Sequence, residues 1–420
     1  MGKIRQKVKN RIVEFIKKIR HGIHWRVARV LHNIRKKEAS FYKYLTLKVI
    51  YPFTYQWQIK RHPLDEKKVV FLEVRMLELT DSFQLLYQAL TKKEEYHISV
   101  QAIGAGLVSR RMQQKNSLEA LKEIASAKYV FIDDSSSLIS CIKPRPQTKI
   151  IQTWHACGAF KKFGHSTVEK IFGGTNEELR KYPIHKNFSV VTVSSPEVIW
   201  AYAQAFHMED RKEAIMPIGI SRTDIFYDQD AVEAAYEKIH QLMPASREKK
   251  IILYAPTFRG RVRSAHSPNE MDLGRMQEAL GEQYVLVCKH HPFVKQRPQI
   301  PEELSDFAVD FTEEMSIEEL LMVSDICISD YSSLVFEYSL FERPMIFFAY
   351  DLENYYDWRG FYYDYEEMTP GPICRTTEKM IEYIRTIEHS FDRQRVIDFK
   401  NKFMSACDGH ATERILELLE

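Results

Sequence analysis

The sequence of 420 residues is poor in cysteine, and its six cysteines stand singly at positions 141, 157, 288, 327, 374 and 407. Because none forms a C-x-x-C pair, neither a disulfide framework nor a zinc site is indicated, and reduced thiols are typical of a cytosolic face. No apolar run reaches the roughly 18 residues that cross a bilayer. The N-terminus also lacks the apolar core of a secretory signal.

Several motifs that mark common sites are absent as well. No G-x-G-x-x-G follows the first predicted strand, which argues against a dinucleotide fold of the usual kind, and no P-loop, H-E-x-x-H or G-x-S-x-G occurs. His290 and His291 are adjacent, so on a strand they would face opposite sides and would not share one metal. We therefore expect neither a cofactor nor a metal at a protein site.

The charge of the chain is divided unevenly. Residues 1–61 contain 17 Lys or Arg and 2 Glu, a net charge of +15, so a total of +3 leaves −12 for the remainder. Within 1–37, apolar residues recur every three or four positions, which predicts an amphipathic helix with 13 basic side chains on its other faces. We favour a helix lying on an anionic membrane surface. Packing on the protein's own core and nucleic-acid binding remain alternatives.

From residue 68 onward, short apolar runs alternate with amphipathic segments. Nearly continuous apolar strands between helices indicate parallel sheets buried on both faces. The series pauses near residue 220 and restarts, so we predict two Rossmann-like α/β domains facing one cleft. The predicted divisions are a basic helical arm, an N-terminal domain, a C-terminal domain and C-terminal helices: 1–61, 62–228, 229–390 and 391–420.

Unusual polar clusters follow five of the predicted strands. In open α/β sheets, ligands bind beyond the carboxyl ends of strands, and the clusters occupy these positions. They read "WHACG", "APTFRG", "KHHP", "DYSS" and "DLENYYDWRGFYYDYEEMTPGP". Five such clusters around one proposed cleft are hard to attribute to turn chemistry alone.

The chemistry of these clusters fits an anionic ligand. Ser332 and Ser333 open a predicted helix, where hydroxyls and free N–H groups form an anion site, although an ordinary N-cap is the simpler explanation. Lys289, His290, His291 and Arg259 are candidates to neutralise a diphosphate, although Pro292 also explains "HHP" as a turn. Glu337, on the same predicted helix, is either a ligand for sugar or glycerol hydroxyls or a partly exposed acid. The pattern favours group transfer from an anionic activated donor.

The segments "TWH…KK.G", "YAPTFRG", "HHP", "SDYSSLVFEYSLFERPMIFFAYDLENY" and "RGFYYDYEEMTPGP" together resemble the CDP-glycerol glycerophosphotransferases of teichoic acid synthesis. The resemblance covers roughly residues 148–375 and is strongest from Ser329 to Pro372. It implies a GT-B-like fold with a helical membrane-binding segment. It also implies transfer of glycerol phosphate, or ribitol phosphate, from its CDP ester to a hydroxyl of an undecaprenyl-diphosphate-linked glycan, with release of CMP at the cytoplasmic side of the cell membrane.

The resemblance also assigns residue roles. His155 corresponds to the histidine of the family's W-H-G-T-P pattern and is the expected general base, a role that suits a neutral imidazole; His291 is the second expected catalytic histidine. The residues expected to bind the donor are Ala156, Cys157, Gly158, Ala159, Arg222, Pro256, Thr257, Lys289, His290, Ser332, Ser333 and Glu337.

Three departures from the family pattern bear on specificity. Ala156–Gly158 replaces G-T-P, Lys289 replaces an arginine and so loses a bidentate phosphate contact, and Glu337 replaces an aspartate. The small residues after His155 favour primases, which add a single glycerol phosphate, over polymerases. A nucleotide-sugar glycosyltransferase of the same fold is the rival enzyme. A nucleic-acid binder would leave the clusters at the strand ends unexplained, so no nucleic-acid partner is expected.

Overall fold

The computed structural model describes residues 32–33, 35–168, 170–171, 173–260 and 264–420. Nearly all of the helix predicted over 1–37 lies outside the described residues. Among those described, no helix combines the length and the apolar composition that a membrane crossing needs.

Two six-stranded sheets, parallel throughout, form the body of the molecule, which confirms the predicted fold class. The first has the order β2-β1-β3-β4-β5-β6 and the second the order β12-β11-β10-β7-β8-β9. The first sheet comprises β1 Asp65–Glu73, β2 His97–Ala102, β3 Ala127–Ile132, β4 Lys149–Gln152, β5 Val190–Thr192 and β6 Ile215–Met216. The second comprises β7 Lys250–Tyr254, β8 Tyr284–Cys288, β9 Ala308–Asp310, β10 Ile326–Ser329, β11 Met345–Phe348 and β12 Ile373–Cys374.

The central strands are apolar because helices cover both faces of each sheet. All five residues of β8 and all four of β10 and of β11 are buried, as expected for parallel sheets. The sequence patterns did not predict β6, β9 and β12. These strands have only two or three residues, too few to show a periodicity.

Helices connect the strands of each sheet. Those up to β6 cover 35–45, Tyr51–Arg61, Asp81–Thr91, Arg110–Ala125, Ser137–Cys141, Asn176–Lys181 and Ile199–Phe206. Those that follow cover Gln229–Leu242, Leu273–Leu280, Ile317–Val323, Leu334–Tyr338, Leu352–Trp358, Tyr365–Met368, Thr377–Arg385, Ile387–Ser390, Arg393–Phe403 and Ala411–Leu416.

The helix that follows β1 begins next to a threonine cap. Its N-cap is Thr80, and Asp81 is the first helical residue. The Thr80 side chain makes no capping bond, and its hydroxyl donates to Glu73 Oε1 at 2.9 Å. The acidic side chain of Asp81 still lies in the first turn, where the helix dipole stabilises it.

A long helical segment precedes the first sheet. It runs from residue 35 to Arg61 and includes a π-helical turn at Thr46–Ile50. Thr46, Tyr51 and Tyr55 are buried on its inner face. Pro52 is accommodated because it stands at the start of Tyr51–Arg61, which follows the π-helical turn.

The C-terminal helices return to the first sheet. Ser194, just beyond β5, donates its hydroxyl to the Phe403 carbonyl at 2.7 Å, and its own carbonyl accepts the Ala406 N–H at 2.9 Å. Ile415 and Leu416 pack in the core formed by β1 and β3. Residues 391–420 are therefore largely helical, as expected, while the domain boundaries themselves remain predictions.

The loop after β4 contacts the second half of the chain directly. Lys161 forms an isolated antiparallel bridge with Phe361, and Lys162 N–H donates to the Gly360 carbonyl at 3.0 Å. Gly158 adopts φ +61°, and a Cβ placed on it would lie 2.5 Å from atoms of the Phe336 ring. The two halves of the chain therefore pack closely at Gly158, because glycine has no side chain to separate them.

Two glycine substitutions separate this contact from backbone strain. Gly158→Ala and Gly106→Ala both place a Cβ on a left-handed residue, at φ +61° and +89°, but Gly106 has nothing within 4 Å of the added carbon. Gly106→Ala is expected to lower the free energy of unfolding by the backbone strain alone, about 1–2 kcal/mol. The Phe336 ring adds about 1–3 kcal/mol of overpacking at Gly158. Thermal unfolding should give a clearly lower midpoint for Gly158→Ala; equal midpoints would contradict the contact.

Candidate active site

A cleft of about 1,170 Å³ lies between the carboxyl ends of the two sheets. Every site residue that the family resemblance implies lines it, although their roles remain predictions. These residues are His155, Ala156, Cys157, Gly158, Ala159, Arg222, Pro256, Thr257, Lys289, His290, His291, Ser332, Ser333 and Glu337.

The backbone before His155 turns sharply at the end of β4. Trp154 has a left-handed φ of +57°, and its N–H donates to Gln152 Oε1 at 2.9 Å. Its buried ring stacks on Phe163 with centroids 4.9 Å apart. This anchored turn leaves the His155 side chain exposed at the cleft.

A backbone carbonyl fixes the tautomer of His155. Its Nδ1 lies 2.7 Å from the carbonyl oxygen of Asp133, which only accepts hydrogen bonds, so Nδ1 carries the proton and donates. The neutral ring therefore has its lone pair on Nε2, as a general base requires. Burial, together with the charge of nearby Glu73, raises the pKa of the Asp133 carboxyl, while His155 opposes the shift.

His291 has the opposite tautomer. Its Nδ1 accepts the Phe293 N–H at 3.2 Å, so the proton of the neutral ring is on Nε2. The ring packs against Phe258 and Phe293, with centroids 4.7 Å away in each case. Burial is the main cause that lowers the pKa of His291 to about 4, and the charge of Lys161 adds to it. At neutral pH this histidine is a hydrogen-bond donor without charge.

Lys289 and His290 use their polar atoms largely within the protein. The Lys289 ammonium donates to the carbonyls of Thr312, at 2.8 Å, and Met315. His290 is 4% exposed and its Nδ1 lies 2.7 Å from the Ser267 hydroxyl. Both residues line the cleft and are candidate ligands of the donor. The bonds described also stabilise the loop after β8.

Arg222 lies between two buried carboxylates. Its Nη2 donates to Glu337 Oε1, and its Nη1 is 4.0 Å from Glu318 Oε1. Burial raises the pKa of Glu337 to about 7; Arg222 opposes the shift and Glu318 adds to it. Arg222 Nε and Glu318 Oε2 are enclosed and have no hydrogen-bond partner among the described residues.

The hydroxyls near the start of the Leu334–Tyr338 helix are weakly used by the protein. Ser333 is the N-cap but makes no side-chain capping bond, and Ser332 Oγ accepts the Leu334 N–H at a long 3.4 Å. Thr257 is 7% exposed, and its hydroxyl has no partner among the described residues. Together with Pro256, these residues form an uncharged part of the cleft wall, contributed by the second half of the chain.

Arg259 does not face the cleft as expected. Its guanidinium donates to both oxygens of Asp351, at 2.6 and 2.8 Å, and Nη2 lies 3.0 Å from Asp330 Oδ2. Nη1 donates to the Thr257 carbonyl at 2.6 Å. The expectation that Arg259 neutralises a diphosphate is not met, because two carboxylates of the protein already compensate its charge.

Lys161 is a further basic residue that lines the cleft. Burial and the charge of Arg359 lower its pKa to about 7, Asp330 opposes the shift and Arg259 adds to it. In the described part of the chain, no carboxylate is within ion-pair distance of Lys161. A bound anion would both pair with this ammonium and restore its proton.

Two further positions at the cleft, Arg75 and Asp133, follow β1 and β3. Arg75 Nε lies 2.5 Å from Asp134 Oδ2 and faces the cleft, while Asp133 holds His155. The rule that polar residues after a strand mark the site applies to "EVR" and "IDD" as well. Because the five clusters considered follow other strands, these two positions were missed.

Comparisons with known proteins agree with the family resemblance. The family described as CDP-Glycerol:Poly(glycerophosphate) glycerophosphotransferase matches residues 53–420. The teichoic acid ribitol-phosphate primase of Bacillus spizizenii is 35% identical over 85% of this chain and 92% of its own. The teichoic acid glycerol-phosphate primase of Bacillus subtilis is 31% identical over 74% of this chain and 78% of its own. The solved structure of the wall teichoic acid polymerase TagF, 24% identical, covers 92% of this chain and 97% of its own with a TM-score of 0.73, and shares the fold.

Proposed function

This chain belongs to the CDP-glycerol:poly(glycerophosphate) glycerophosphotransferase family, and from that premise we propose that it transfers a polyol phosphate from a CDP ester to a lipid-linked glycan in teichoic acid synthesis. The observation that carries this proposal is the pair of cleft histidines with opposite tautomers. His155 presents a lone pair on Nε2 and His291 presents a proton on Nε2. One cleft thus contains a proton acceptor and a neutral donor.

In the proposed reaction, His155 Nε2 takes the proton of the acceptor hydroxyl as its oxygen attacks the β-phosphorus of the donor. A new phosphorus–oxygen bond forms, the bond from the β-phosphorus to the bridging oxygen breaks, and CMP leaves. His291 Nε2–H donates a hydrogen bond to the phosphate group as charge develops. Positioning and charge stabilisation supply most of the acceleration in such transfers.

The polyol is glycerol or ribitol. Glycerol and a primase are the expectations from the sequence, whereas the ribitol-phosphate primase matches this chain at higher identity and coverage than the glycerol-phosphate primase does. The similarity favours ribitol. CMP release from CDP-glycerol and CDP-ribitol, with product length read by mass spectrometry, decides between them. Consumption of a UDP-sugar without CMP release would overturn the proposal in favour of a glycosyltransferase.

His155→Asn is the matched variant for the proposed base. The asparagine amide can still donate to the Asp133 carbonyl, so the loop is retained, but the base is removed. We expect kcat to fall by about 10²–10⁴-fold, while titration calorimetry shows CDP-polyol affinity within about twofold of the wild type. Wild-type kcat in this variant would remove His155 from the chemistry.

Lys161 makes donor affinity depend on pH. Its pKa of about 7 means that above this pH the free enzyme must take up a proton to pair with the donor diphosphate. Affinity for the CDP-polyol should therefore fall as pH rises from 6.5 to 9, by at least about tenfold. In Lys161→Arg, which stays charged, the affinity for the CDP-polyol should not fall over this pH range. Lys161→Met should bind the CDP-polyol weakly at every pH in the range. An unchanged profile in Lys161→Arg would assign the pH dependence to another group.

An exposed stripe supports the proposed anionic membrane surface. On the outer face of the segment from 35 to Arg61, large apolar side chains are 42–70% exposed, and Lys48, Lys60 and Arg61 lie among them. Apolar rings beside basic residues are typical of interfacial helices. The apolar residues of this stripe are Phe41, Tyr44, Val49, Phe53 and Trp57.

Removal of two rings tests the stripe. Phe41→Ser combined with Phe53→Ser should weaken sedimentation with phosphatidylglycerol vesicles by at least about tenfold, because buried apolar area is lost. Leu242→Ser, which removes a 42% exposed side chain in the second half of the chain, is the control and should bind as the wild type does. Equal binding of all three proteins would exclude the stripe from the membrane contact.

A further inference from the structure

A second cavity, of about 770 Å³, lies beneath the inner face of the helical segment from 35 to Arg61. Its floor is formed by residues that follow β1, β2 and β3, and Tyr182 contributes to its wall. Arg75 and Ser135 line both this cavity and the cleft. The two spaces therefore adjoin beside Asp133, whose carbonyl holds His155.

Two buried hydroxyls on the cavity wall have no partner. Thr46 is 6% exposed and Tyr182 is 8% exposed, yet neither Thr46 Oγ1 nor the Tyr182 hydroxyl forms a hydrogen bond with any described residue. Buried polar groups are nearly always satisfied, and leaving one unsatisfied costs about 1–3 kcal/mol. Both side chains line the cavity, and a polar ligand that displaces them slightly would give these enclosed hydroxyls a partner.

The rest of the wall narrows the class of that molecule. Tyr42, Tyr51 and Tyr182 line the cavity beside Gln113 and Gln114, and the Tyr42 hydroxyl donates to Gln114 Oε1 at 2.8 Å. Tyrosine rings combined with amides and hydroxyls suit a ligand with apolar C–H faces and many hydroxyl groups. A saccharide has this chemistry.

The exposed rim of the cavity is positively charged. Lys36, Lys43, Arg110 and Lys181 lie along it with two acids, Glu177 and Glu178. One acid is already used, because Lys43 Nζ lies 2.7 Å from Glu178 Oε1. The Arg110 guanidinium lies over the Tyr42 ring, 4.7 Å from its centroid. The excess of positive charge at the rim favours a ligand in which an anionic group is attached to the saccharide and lies at the rim.

We propose that this cavity binds the glycan-diphosphate part of the lipid-linked acceptor, an inference that rests on the proposed function. The glycan lies against the tyrosines, its hydroxyl reaches His155 past Arg75 and Ser135, and the diphosphate lies at the cationic rim. The lipid chain of the acceptor then extends from the rim toward the membrane. This arrangement is consistent with the exposed apolar stripe, because the stripe occupies the opposite face of the same helical segment.

Three hydroxyl deletions test the proposal. Thr46→Val and Tyr182→Phe remove hydroxyls that the protein itself does not use, so folding should be unaffected. Each should raise the KM for a water-soluble, short-chain disaccharide-diphosphate lipid by about three- to tenfold, the effect of one hydrogen bond, while leaving the KM for the CDP-polyol unchanged. Tyr55→Phe is the control, because the Tyr55 hydroxyl is also buried and unpartnered but lies outside the cavity.

The outcomes separate this inference from the proposed function. A wild-type enzyme that releases no CMP with any acceptor overturns the proposed function itself. Turnover with an unchanged acceptor KM in both variants overturns the cavity assignment alone. A rise in the KM for the CDP-polyol would make the cavity part of the donor site and would also overturn it. Arg110→Gln should weaken the diphosphate acceptor but not the same disaccharide without phosphate; equal effects on both would contradict the assignment of the rim.

Discussion

The absence of a side chain at Gly158 sets the distance between the two halves of the cleft. Because the Phe336 ring lies where a Cβ would be, the loop that carries His155 contacts the helix that carries Glu337. The Ser332 and Ser333 hydroxyls lie at the start of that same helix. A cleft that places His155 of one half opposite Ser332, Ser333 and Glu337 of the other depends on this contact.

Backbone groups, rather than charged partners, determine what the two histidines can do. A carbonyl holds the proton of His155 on Nδ1, and an N–H group holds the lone pair of His291 on Nδ1. These partners determine which nitrogen of each neutral ring carries the proton, so that Nε2 is an acceptor in His155 and a donor in His291. The acid–base asymmetry is therefore built into the loops after β4 and β8.

The sequence predicted the long features and missed those that depend on distant neighbours. Apolar strands alternating with helices identified both sheets, and polar residues after strands found the cleft, because each rule uses only local sequence. The compensation of Arg259 by Asp351, 92 positions away, and the lowered pKa of Lys161 require the fold to be known. The resemblance pointed to His155 and His291, but tautomers depend on backbone geometry, which residue patterns do not contain.

The division of charge constrains how such an enzyme meets an anionic surface. Residues 62–420 carry a net −12 and would be repelled by anionic lipid, whereas residues 1–61 carry +15 and would be attracted. The attraction is confined to one end of the chain, so it would orient the molecule as well as hold it. In the proposed orientation, the outer face of the segment from 35 to Arg61 would meet the lipid. The inner face lines the second cavity, so a lipid-linked diphosphate bound there would reach the cationic rim while its lipid stays in the membrane.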